Sequence, residues 1–507
     1  MGRLRRAAWL SLALLSVFTI AAGVAVAHML PPRLALWRLP TVAARGLAEA
    51  RPVLSAVDPL VTGAAHTGKF RQAGPLTTAA GVIAALSGIL GSPALGPHVG
   101  AVVADLSTGQ LLLSREGGSA FAPASTAKLA VATAALEVLG PAARLTTRVV
   151  AGPTLSSAAG PRGRPQHAPP LIILVGGGDP TLAAGRPPAS DYPQPATLAS
   201  LAAETARALR ARGVDAVRLR YDASLFAGPG LGAGWAPDDV ASGNVTAVVP
   251  LEVDQGRLTP GGAPQDADVP GNFRPRSTTP AASAAQDFAS LLSASGIRVL
   301  GAVTQTVAAR GPVAGRTATI AAVSSPPLAE IIEQMLTESN NVIAENLARQ
   351  VAIATGHPAS FSGAAAAETG VLRRLGVGGI SLVDGSGLSP QDQITPTTLV
   401  HLIRLAAAPG QPDLRPVITG LPVAGFTGTL APGGSVFNAL GPPAKGVVRA
   451  KTGNLLTVVS LSGIAYARNG QLLAFAFMAD QLPKNGLTAA ADDMTRLATA
   501  LAACGCR

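Results

Sequence analysis

A single lysine interrupts the apolar stretch PASTAKLAVATAALEVLG, residues 123–140. The chain has five lysines in all, and Lys128 lies three residues after Ser125. Residues three apart lie on the same face of a helix, so the stretch predicts a hydroxyl and an amine side by side. Apolar surroundings disfavour the charged form of a lysine, and a neutral amine can serve as the base of a serine nucleophile. Ser125 is therefore a candidate nucleophile and Lys128 its candidate base.

The same spacing also fits a helix-capping serine followed by a solvated lysine, and Ser-x-x-Lys alone is a weak pattern. Two further triplets favour the catalytic interpretation over the capping one. Ser339-Asn340-Asn341 ends a predicted amphipathic helix, and Lys451-Thr452-Gly453 lies inside a strand-like run. Each triplet alone could be a cap or a turn. The three motifs in this order, however, form the signature of penicillin-binding proteins and serine β-lactamases.

Four flanking stretches narrow the resemblance: GGGDPTL (176–182), YDASLFAGPG (221–230), GWAPDDV (234–240) and DGSGLS (384–389). With them the chain resembles the D-alanyl-D-alanine carboxypeptidase/endopeptidase family of low-molecular-mass penicillin-binding proteins, from about residue 80 to residue 507. The resemblance implies an α/β (α+β) chain with the penicillin-binding/serine β-lactamase-like transpeptidase fold. In that fold an antiparallel sheet is flanked by helices, and here we expect an inserted β-rich domain.

The insertion is expected between the first two motifs, because the family places additional domains there and 211 residues separate Lys128 from Ser339. Short β-like runs alternate with Pro-rich loops from about residue 145, and helical patterning returns near residue 312. The expected division is a signal peptide or membrane anchor (1–29), a Pro/Ala-rich stalk (30–79), a catalytic domain in two parts (80–147 and 312–507) and the inserted β-rich domain (148–311).

The resemblance implies acyl-transfer roles for the first two motifs. Ser125 would attack the carbonyl of a D-Ala-D-Ala or cross-bridge peptide bond and form an acyl-enzyme. Lys128 would accept the hydroxyl proton. Ser339 would relay a proton to the leaving amine, and Asn341 would hold both the substrate amide and Lys128.

The third motif is expected to bind the substrate. Lys451 would offer positive charge, and Thr452 a hydroxyl, to the terminal carboxylate. Gly453 would keep the strand clear so that substrate can pair along its edge. The backbone N–H groups of Ser125 and Asn454 would form the oxyanion hole, where losing one donor costs about 3 kcal/mol of barrier.

Side-chain specificity is the point at which the chain departs from the family. Asp239 in GWAPDDV matches an acidic residue with which family members read diaminopimelate, so Asp239 is a candidate for substrate binding. Such members carry an arginine just after DGSGLS, where this chain has Pro390, and more polar residues than Leu455 and Leu456 after Lys-Thr-Gly. Strong recognition of a free diaminopimelate carboxylate is therefore not expected. DGSGLS and GGGDPTL are themselves expected to be turns, with DGSGLS bordering the site without doing chemistry.

Composition and charge restrict the expected partners. The net charge is +11, but the arginines are scattered and no basic run alternates with aromatic residues, so nucleic-acid binding is not expected. The resemblance implies peptidoglycan stem peptides as substrates and β-lactam antibiotics as covalent inhibitors. No metal-ligand cluster or cofactor motif is evident in the sequence, and neither a metal nor a cofactor is expected. The only cysteines, Cys504 and Cys506, are assigned no role.

The N-terminus predicts export. Residues 7–27 carry no charge and follow three arginines, and this length can cross a bilayer. The run ends in Ala25-Val26-Ala27, which fits a small-residue cleavage site. An uncleaved membrane anchor and a cleaved signal peptide both remain open, and either places the rest of the chain outside the cytoplasm.

Three other functions compete with this assignment. A β-lactamase would use the same nucleophile, although the E-x-x-L-N pattern of class A enzymes is absent and the insertion is long. A non-catalytic wall-binding or penicillin-sensing protein would not need all the motif residues that are present. A His-dependent esterase is disfavoured because none of the six histidines lies in a triad-like context. The balance of carboxypeptidase and endopeptidase activity is left open.

Overall fold

The computed structural model describes residues 76–152, 169–258, 275–308, 318–437 and 440–505. The predicted N-terminal segment (1–29) and the stalk up to residue 75 lie outside this part of the chain. Within the described residues, no helix is both long and apolar enough to cross a bilayer.

A five-stranded antiparallel sheet carries the last motif. Its strand order is β11-β12-β13-β1-β2, so the pairing of β1 with β13 joins the two N-terminal strands to the three C-terminal ones. Residues two apart face the same side of a strand. The strands are β1 (Val99–Asp105), β2 (Leu111–Arg115), β11 (Val448–Leu455), β12 (Val458–Tyr466) and β13 (Leu472–Ala479).

Two helices cover one face of this sheet. Ala450, Leu461 and Phe475 point into the core that they form there. The helix α1 (Ala79–Leu90) is capped by Thr78, and α10 (Leu487–Ala503) follows the last strand of the sheet.

A larger helical layer covers the opposite face, where Ile464, Ala474 and Ala476 are buried. The apolar stretch after Ser125 lies at its centre. Its helices are α2 (Lys128–Leu139), α5 (Leu328–Glu338), α6 (Asn341–Ala354), α7 (Phe361–Arg374), α8 (Pro396–Ala407) and the short α9 (Arg415–Thr419). A two-stranded pair, β9 (Ile380–Ser381) and β10 (Gln393–Ile394), brackets DGSGLS.

A second sheet is built between the first two motifs, in the order β6-β5-β4-β3-β8, with β7 also pairing with β5. Two helices pack on it around a core of its own. The segment thus holds long helices besides the expected strands, because parallel strands need crossover connections. The elements are β3 (Thr146–Ala151), β4 (Leu171–Val175), α3 (Leu198–Arg210), β5 (Ala216–Asp222), α4 (Pro280–Ala294), β6 (Arg298–Val299), β7 (Thr304–Gln305) and β8 (Thr319–Ser324).

The second sheet starts before residue 148 and ends after residue 311, the expected bounds of the insertion. β3 and β8 pair antiparallel, and they bring the chain into this region and out of it again. GGGDPTL forms a turn after β4, in which the Asp179 carboxylate accepts from the backbone and the hydroxyl of Thr181. The division into domains stays a prediction.

Candidate active site

Ser125 lies in a short 3₁₀ turn, Ala124–Ala127, which leads directly into α2. Ala124, the residue before it, has a left-handed backbone conformation with φ 47°. Such a conformation costs a non-glycine residue about 1–3 kcal/mol and persists only where neighbours hold it. Here the Pro123 carbonyl accepts from the Ser460 hydroxyl at 2.6 Å and from the Thr126 hydroxyl at 2.7 Å. The sheet therefore holds the serine in place.

Lys128 is fully buried, and its amine has three oxygen neighbours. Nζ lies 2.7 Å from Ser125 Oγ, 2.7 Å from Asn341 Oδ1 and 2.6 Å from the Ser386 carbonyl oxygen. The two carbonyl oxygens can only accept, so they take two N–H bonds of the amine. In a neutral amine the lone pair then faces the serine hydroxyl, as a base requires.

Burial also favours this neutral form. Desolvation lowers the pKa of Lys128 to about 7, and the negative charges of Asp384, Glu345 and Asp392 oppose that fall. Lys128 is therefore as poorly solvated as the sequence predicts, and this lowers its pKa. A substantial fraction of the amine is therefore neutral near neutral pH, as a base would require.

Asn341 is the first residue of α6. Its Oδ1 accepts from Lys128, while its Nδ2 donates to the Asn244 carbonyl at 3.0 Å. The second bond crosses from the catalytic helices to a loop between β5 and α4. That loop consequently fixes which end of the Asn341 amide faces Lys128.

Ser339 caps the C-terminal end of α5 in a left-handed conformation, with φ 59°. The Lys451 amine donates to its hydroxyl at 2.8 Å and to the Thr452 carbonyl at 2.8 Å. Lys451 is fully buried, and both that burial and the charge of Lys128 lower its pKa well below the usual range. The structure thus links the second and third motifs through one side-chain contact.

Gly453 brings the edge strand β11 against the serine turn. A Cβ atom on Gly453 would lie 2.8 Å from the Pro123 carbonyl oxygen and 3.0 Å from the Ser125 nitrogen, and it would overlap the Ser460 hydroxyl. These atoms belong to the backbone and to β12, so they cannot easily move. The glycine is needed for this close approach, in addition to its expected role of leaving room for substrate.

The backbone N–H of Asn454 points away from β12. On the side of β11 away from β12, the Val448 carbonyl accepts from the Ala424 N–H, and the Ala450 N–H donates to the Pro422 carbonyl. Successive residues of a strand direct their backbone groups to opposite sides, so residues two apart share a side. Thr452 and Asn454 therefore direct their backbone groups to the same outer edge. The Ser125 N–H lies beside this edge, next to Gly453.

The Thr452 hydroxyl has a partner that the motifs do not contain. Thr429 Oγ1 lies 2.7 Å from Thr452 Oγ1, on a turn (Gly428–Leu430) that packs beside β11. The turn is held by the Ser435 hydroxyl, which donates to the Thr429 carbonyl at 2.7 Å. Two hydroxyls thus lie together where the sequence predicted one.

Asp239 lies in the loop that reaches Asn341, but its carboxylate is buried and bonded within that loop. One oxygen accepts from the Ala236 N–H at 2.7 Å and the other from the Asn244 side chain at 2.9 Å. The carboxylate therefore closes the loop whose Asn244 carbonyl accepts from Asn341. Its role in substrate binding stays a prediction.

DGSGLS contributes directly to the site, although the sequence suggested a turn without chemistry. Its Ser386 carbonyl accepts from Lys128, and Asp384 accepts from the Ser389 N–H and from the Trp235 indole, each at 2.7 Å. Contacts made by backbone atoms leave no residue-type signal, so the motif search could not find this one. Within the described part of the chain, no cluster of His, Cys, Asp and Glu side chains is suited to a metal ion.

Comparisons with known proteins identify the family of the chain. The model of the D-Ala-D-Ala carboxypeptidase 3 (S13) family matches residues 82–270 and 260–501. The chain belongs to this family. A carboxypeptidase of Mycobacterium tuberculosis is 38% identical over 436 residues, which cover 85% of this chain and 85% of the relative. A D-alanyl-D-alanine carboxypeptidase of an Actinomadura species is 32% identical, over 76% of this chain and 79% of the relative.

A solved structure shows the same fold. Penicillin-binding protein 4 of Haemophilus influenzae superposes with a TM-score of 0.62 at 20% identity, covering 83% of this chain and 98% of that one. The predicted family, the mixed α and β transpeptidase-like fold and the class of enzyme, a serine-type D-Ala-D-Ala carboxypeptidase, are therefore confirmed.

Proposed function

We propose that this family member cleaves peptidoglycan stem peptides ending in D-Ala-D-Ala, and cross-bridges of the same chemistry, through an acyl-serine intermediate. The observation that carries the proposal is the placement of the Lys128 amine, 2.7 Å from the Ser125 hydroxyl and bonded to two carbonyl oxygens. This is the arrangement of a serine whose base is a neutral lysine.

Acylation follows from the arrangement. Ser125 Oγ attacks the scissile carbonyl carbon while its proton passes to Lys128 Nζ. The developing oxyanion accepts from the backbone N–H groups of Ser125 and Asn454. As the C–N bond breaks, the Ser339 hydroxyl gives its proton to the leaving amine and takes up the proton that Lys128 received from Ser125, so that Lys128 is neutral again. Water then hydrolyses the ester and releases the shortened peptide.

The terminal carboxylate of the substrate is proposed to bind beside β11. Thr452 and Thr429 supply adjacent hydroxyls, 2.7 Å apart, and Lys451 lies behind them. A carboxylate near Lys451 favours the protonated form of that lysine, because opposite charges stabilise each other. Substrate binding would therefore restore the positive charge that burial disfavours.

The place of action follows from the substrate. Peptidoglycan lies outside the cytoplasmic membrane, so we infer an extracytoplasmic enzyme, exported through the N-terminal segment as a membrane-anchored or a cleaved form. A β-lactam ring offers the same reactive carbonyl next to a carboxylate. Penicillin is therefore expected to acylate Ser125 and to inhibit the enzyme.

Labelling with a fluorescent penicillin tests the nucleophile. The protein lacking residues 1–29 is expected to become covalently labelled, and Ser125→Ala to remain unlabelled. Label on the alanine variant would rule out Ser125 as the nucleophile. Rapid release of hydrolysed penicillin would instead support the β-lactamase alternative.

Defined muropeptides test the substrate. Mass spectrometry should detect loss of one terminal alanine for carboxypeptidase action, or separation of cross-linked dimers for endopeptidase action. Binding to the wall with an unchanged muropeptide pool would support a non-catalytic wall-binding protein.

A further inference from the structure

Glu345 is a buried carboxylate one helical turn after Asn341, on the same face of α6. Its Oε1 accepts from the Gly385 N–H at 3.0 Å and from the Ser386 N–H at 2.8 Å. The side chain thus holds two successive backbone groups of DGSGLS.

The peptide it holds is in contact with the candidate base. The Ser386 carbonyl accepts from Lys128 Nζ at 2.6 Å, and Ser386 is itself fully buried. Two residues on one face of α6 therefore help to orient the Lys128 amine. Asn341 does so directly, and Glu345 does so through the backbone of Ser386.

We propose that Glu345 is a positioning residue for Lys128, which acts through the Ser386 backbone by hydrogen bonding and by charge. The proposal rests on the proposed function, since it assumes that Lys128 is the base of Ser125. Without an acceptor at position 345, Gly385 and Ser386 would keep two buried N–H groups without partners. The Ser386 carbonyl would then lose its defined direction toward the amine.

Titratable groups from several elements face this pair. Asp384 and Asp392 come from the loop, Arg349 and Glu368 from α6 and α7, and Lys451 from β11. Burial, with the charge of Asp384, raises the pKa of Glu345 to about 7. A negative charge on Glu345 in turn raises the pKa of Lys128.

Glutamine at position 345 separates the two contributions. Glu345→Gln keeps an oxygen acceptor of the same size and removes the charge, whereas Glu345→Ala removes both. We expect the glutamine variant to reach a maximal rate of penicillin acylation within about threefold of wild type, with the midpoint of its pH profile moved to lower pH. We expect the alanine variant to acylate about tenfold to a hundredfold more slowly at every pH, as misplacement of a catalytic group does.

Glu368 offers a matched control. It is buried in the same cluster, and its carboxylate oxygens have no hydrogen-bond partner within the described residues. Burial raises its pKa well above the usual range, which favours the neutral carboxyl group, so we expect Glu368→Gln to change less charge than Glu345→Gln. This variant should match wild type in both rate and midpoint.

The experiment is a time course of acylation by fluorescent penicillin over a range of pH, with thermal unfolding as a check on folding. A Glu345→Ala enzyme that acylates as fast as wild type would overturn the proposal. A pH profile of Glu345→Gln that coincides with that of wild type would overturn it too. If the alanine variant does not fold, the pH profile of Glu345→Gln decides the question. Failure of wild type to be labelled, or label on Ser125→Ala, would instead refute the proposed function.

Discussion

The protonation of Lys128 sets the expected pH dependence of acylation. Burial lowers the pKa of Lys128 to about 7, and a lysine is neutral above its pKa. Only the neutral amine can accept the Ser125 proton. The reactive fraction therefore grows as the pH rises through about 7 and falls below it.

We expect the rate of penicillin acylation to rise with pH, with a midpoint near 7 and a plateau on the alkaline side. Below the midpoint the rate should fall about tenfold per pH unit, as expected for titration of one group. Lys128→Ala should remove the rising limb and most of the rate. A rate that does not change across neutral pH would contradict the assignment of Lys128 as the base.

Thr429 supplies a second prediction at this scale. Thr429→Val removes the hydroxyl beside Thr452 and keeps the shape, so we expect kcat/KM for a peptide with a free terminal carboxylate to fall about tenfold. Thr429→Ser should retain most of the activity. A peptide ending in a carboxamide serves as the control. It lacks the terminal carboxylate, so we expect it to be cleaved more slowly than the peptide with the free carboxylate, and at nearly the same rate by Thr429→Val and Thr429→Ser. An equal loss on the two peptides would contradict a carboxylate contact.

At the scale of elements, the edge strand β11 and the serine turn form one unit. β11 pairs with β12 through Gly453 and Ser460, and the Ser460 hydroxyl donates to the carbonyl of Pro123. The proposed oxyanion hole thus depends on how closely a strand approaches a turn that precedes it by more than 300 residues.

Gly453→Ala tests this approach. The added methyl group would meet backbone atoms of Pro123 and Ser125, so we expect about 1–3 kcal/mol of destabilisation and a marked loss of acylation. Gly118→Ala is a suitable control, because nothing lies within 4 Å of the Cβ atom it would add. Thermal unfolding and penicillin labelling measure the two effects. A Gly453→Ala enzyme with normal labelling would show that the close approach is not required.

At the scale of the whole molecule, the segment between the first two motifs contributes to the catalytic site. The Asn244 carbonyl accepts from Asn341, and the Trp235 indole donates to Asp384. Side-chain hydrogen bonds also join Asn346 to Glu252 and Gln350 to the Gly177 carbonyl. The second sheet and its loops therefore support α6, the helix that begins with Asn341.

Asp239→Ala distinguishes support from substrate recognition. Penicillin has no stem-peptide side chain, so loss of a side-chain contact would lower peptide cleavage and leave penicillin acylation unchanged. Opening of the 236–244 loop would instead lower both, and we expect both to fall because the two carboxylate oxygens are bonded inside the loop. The exposed neighbour provides the control, as Asp238→Ala should change neither reaction. Loss restricted to peptides would support the predicted substrate contact of Asp239.

Much of the fold could be predicted because its signals are local. The helix after Ser125, the amphipathic helix before Ser339 and the strand that carries Lys451 follow from apolar periodicity. The helices α3 and α4 were missed, because Ala-rich helices of low aromatic content resemble the neighbouring loops in composition. Ser386 and Asn244 were missed for a different reason, since they act through carbonyl oxygens that every residue possesses.

By itself the sequence determined the reactive groups, their order along the chain and the family to which the chain belongs, because side-chain chemistry and short spacings are written in residue types. Only the tertiary structure decided which of these groups are in contact. In it Lys128 is hydrogen-bonded to Asn341, 213 positions away in the sequence, and Lys451 to Ser339, 112 positions away. Burial at that meeting point lowers the pKa of both lysines. Burial and backbone direction depend on how distant segments pack, so no local pattern could have revealed them.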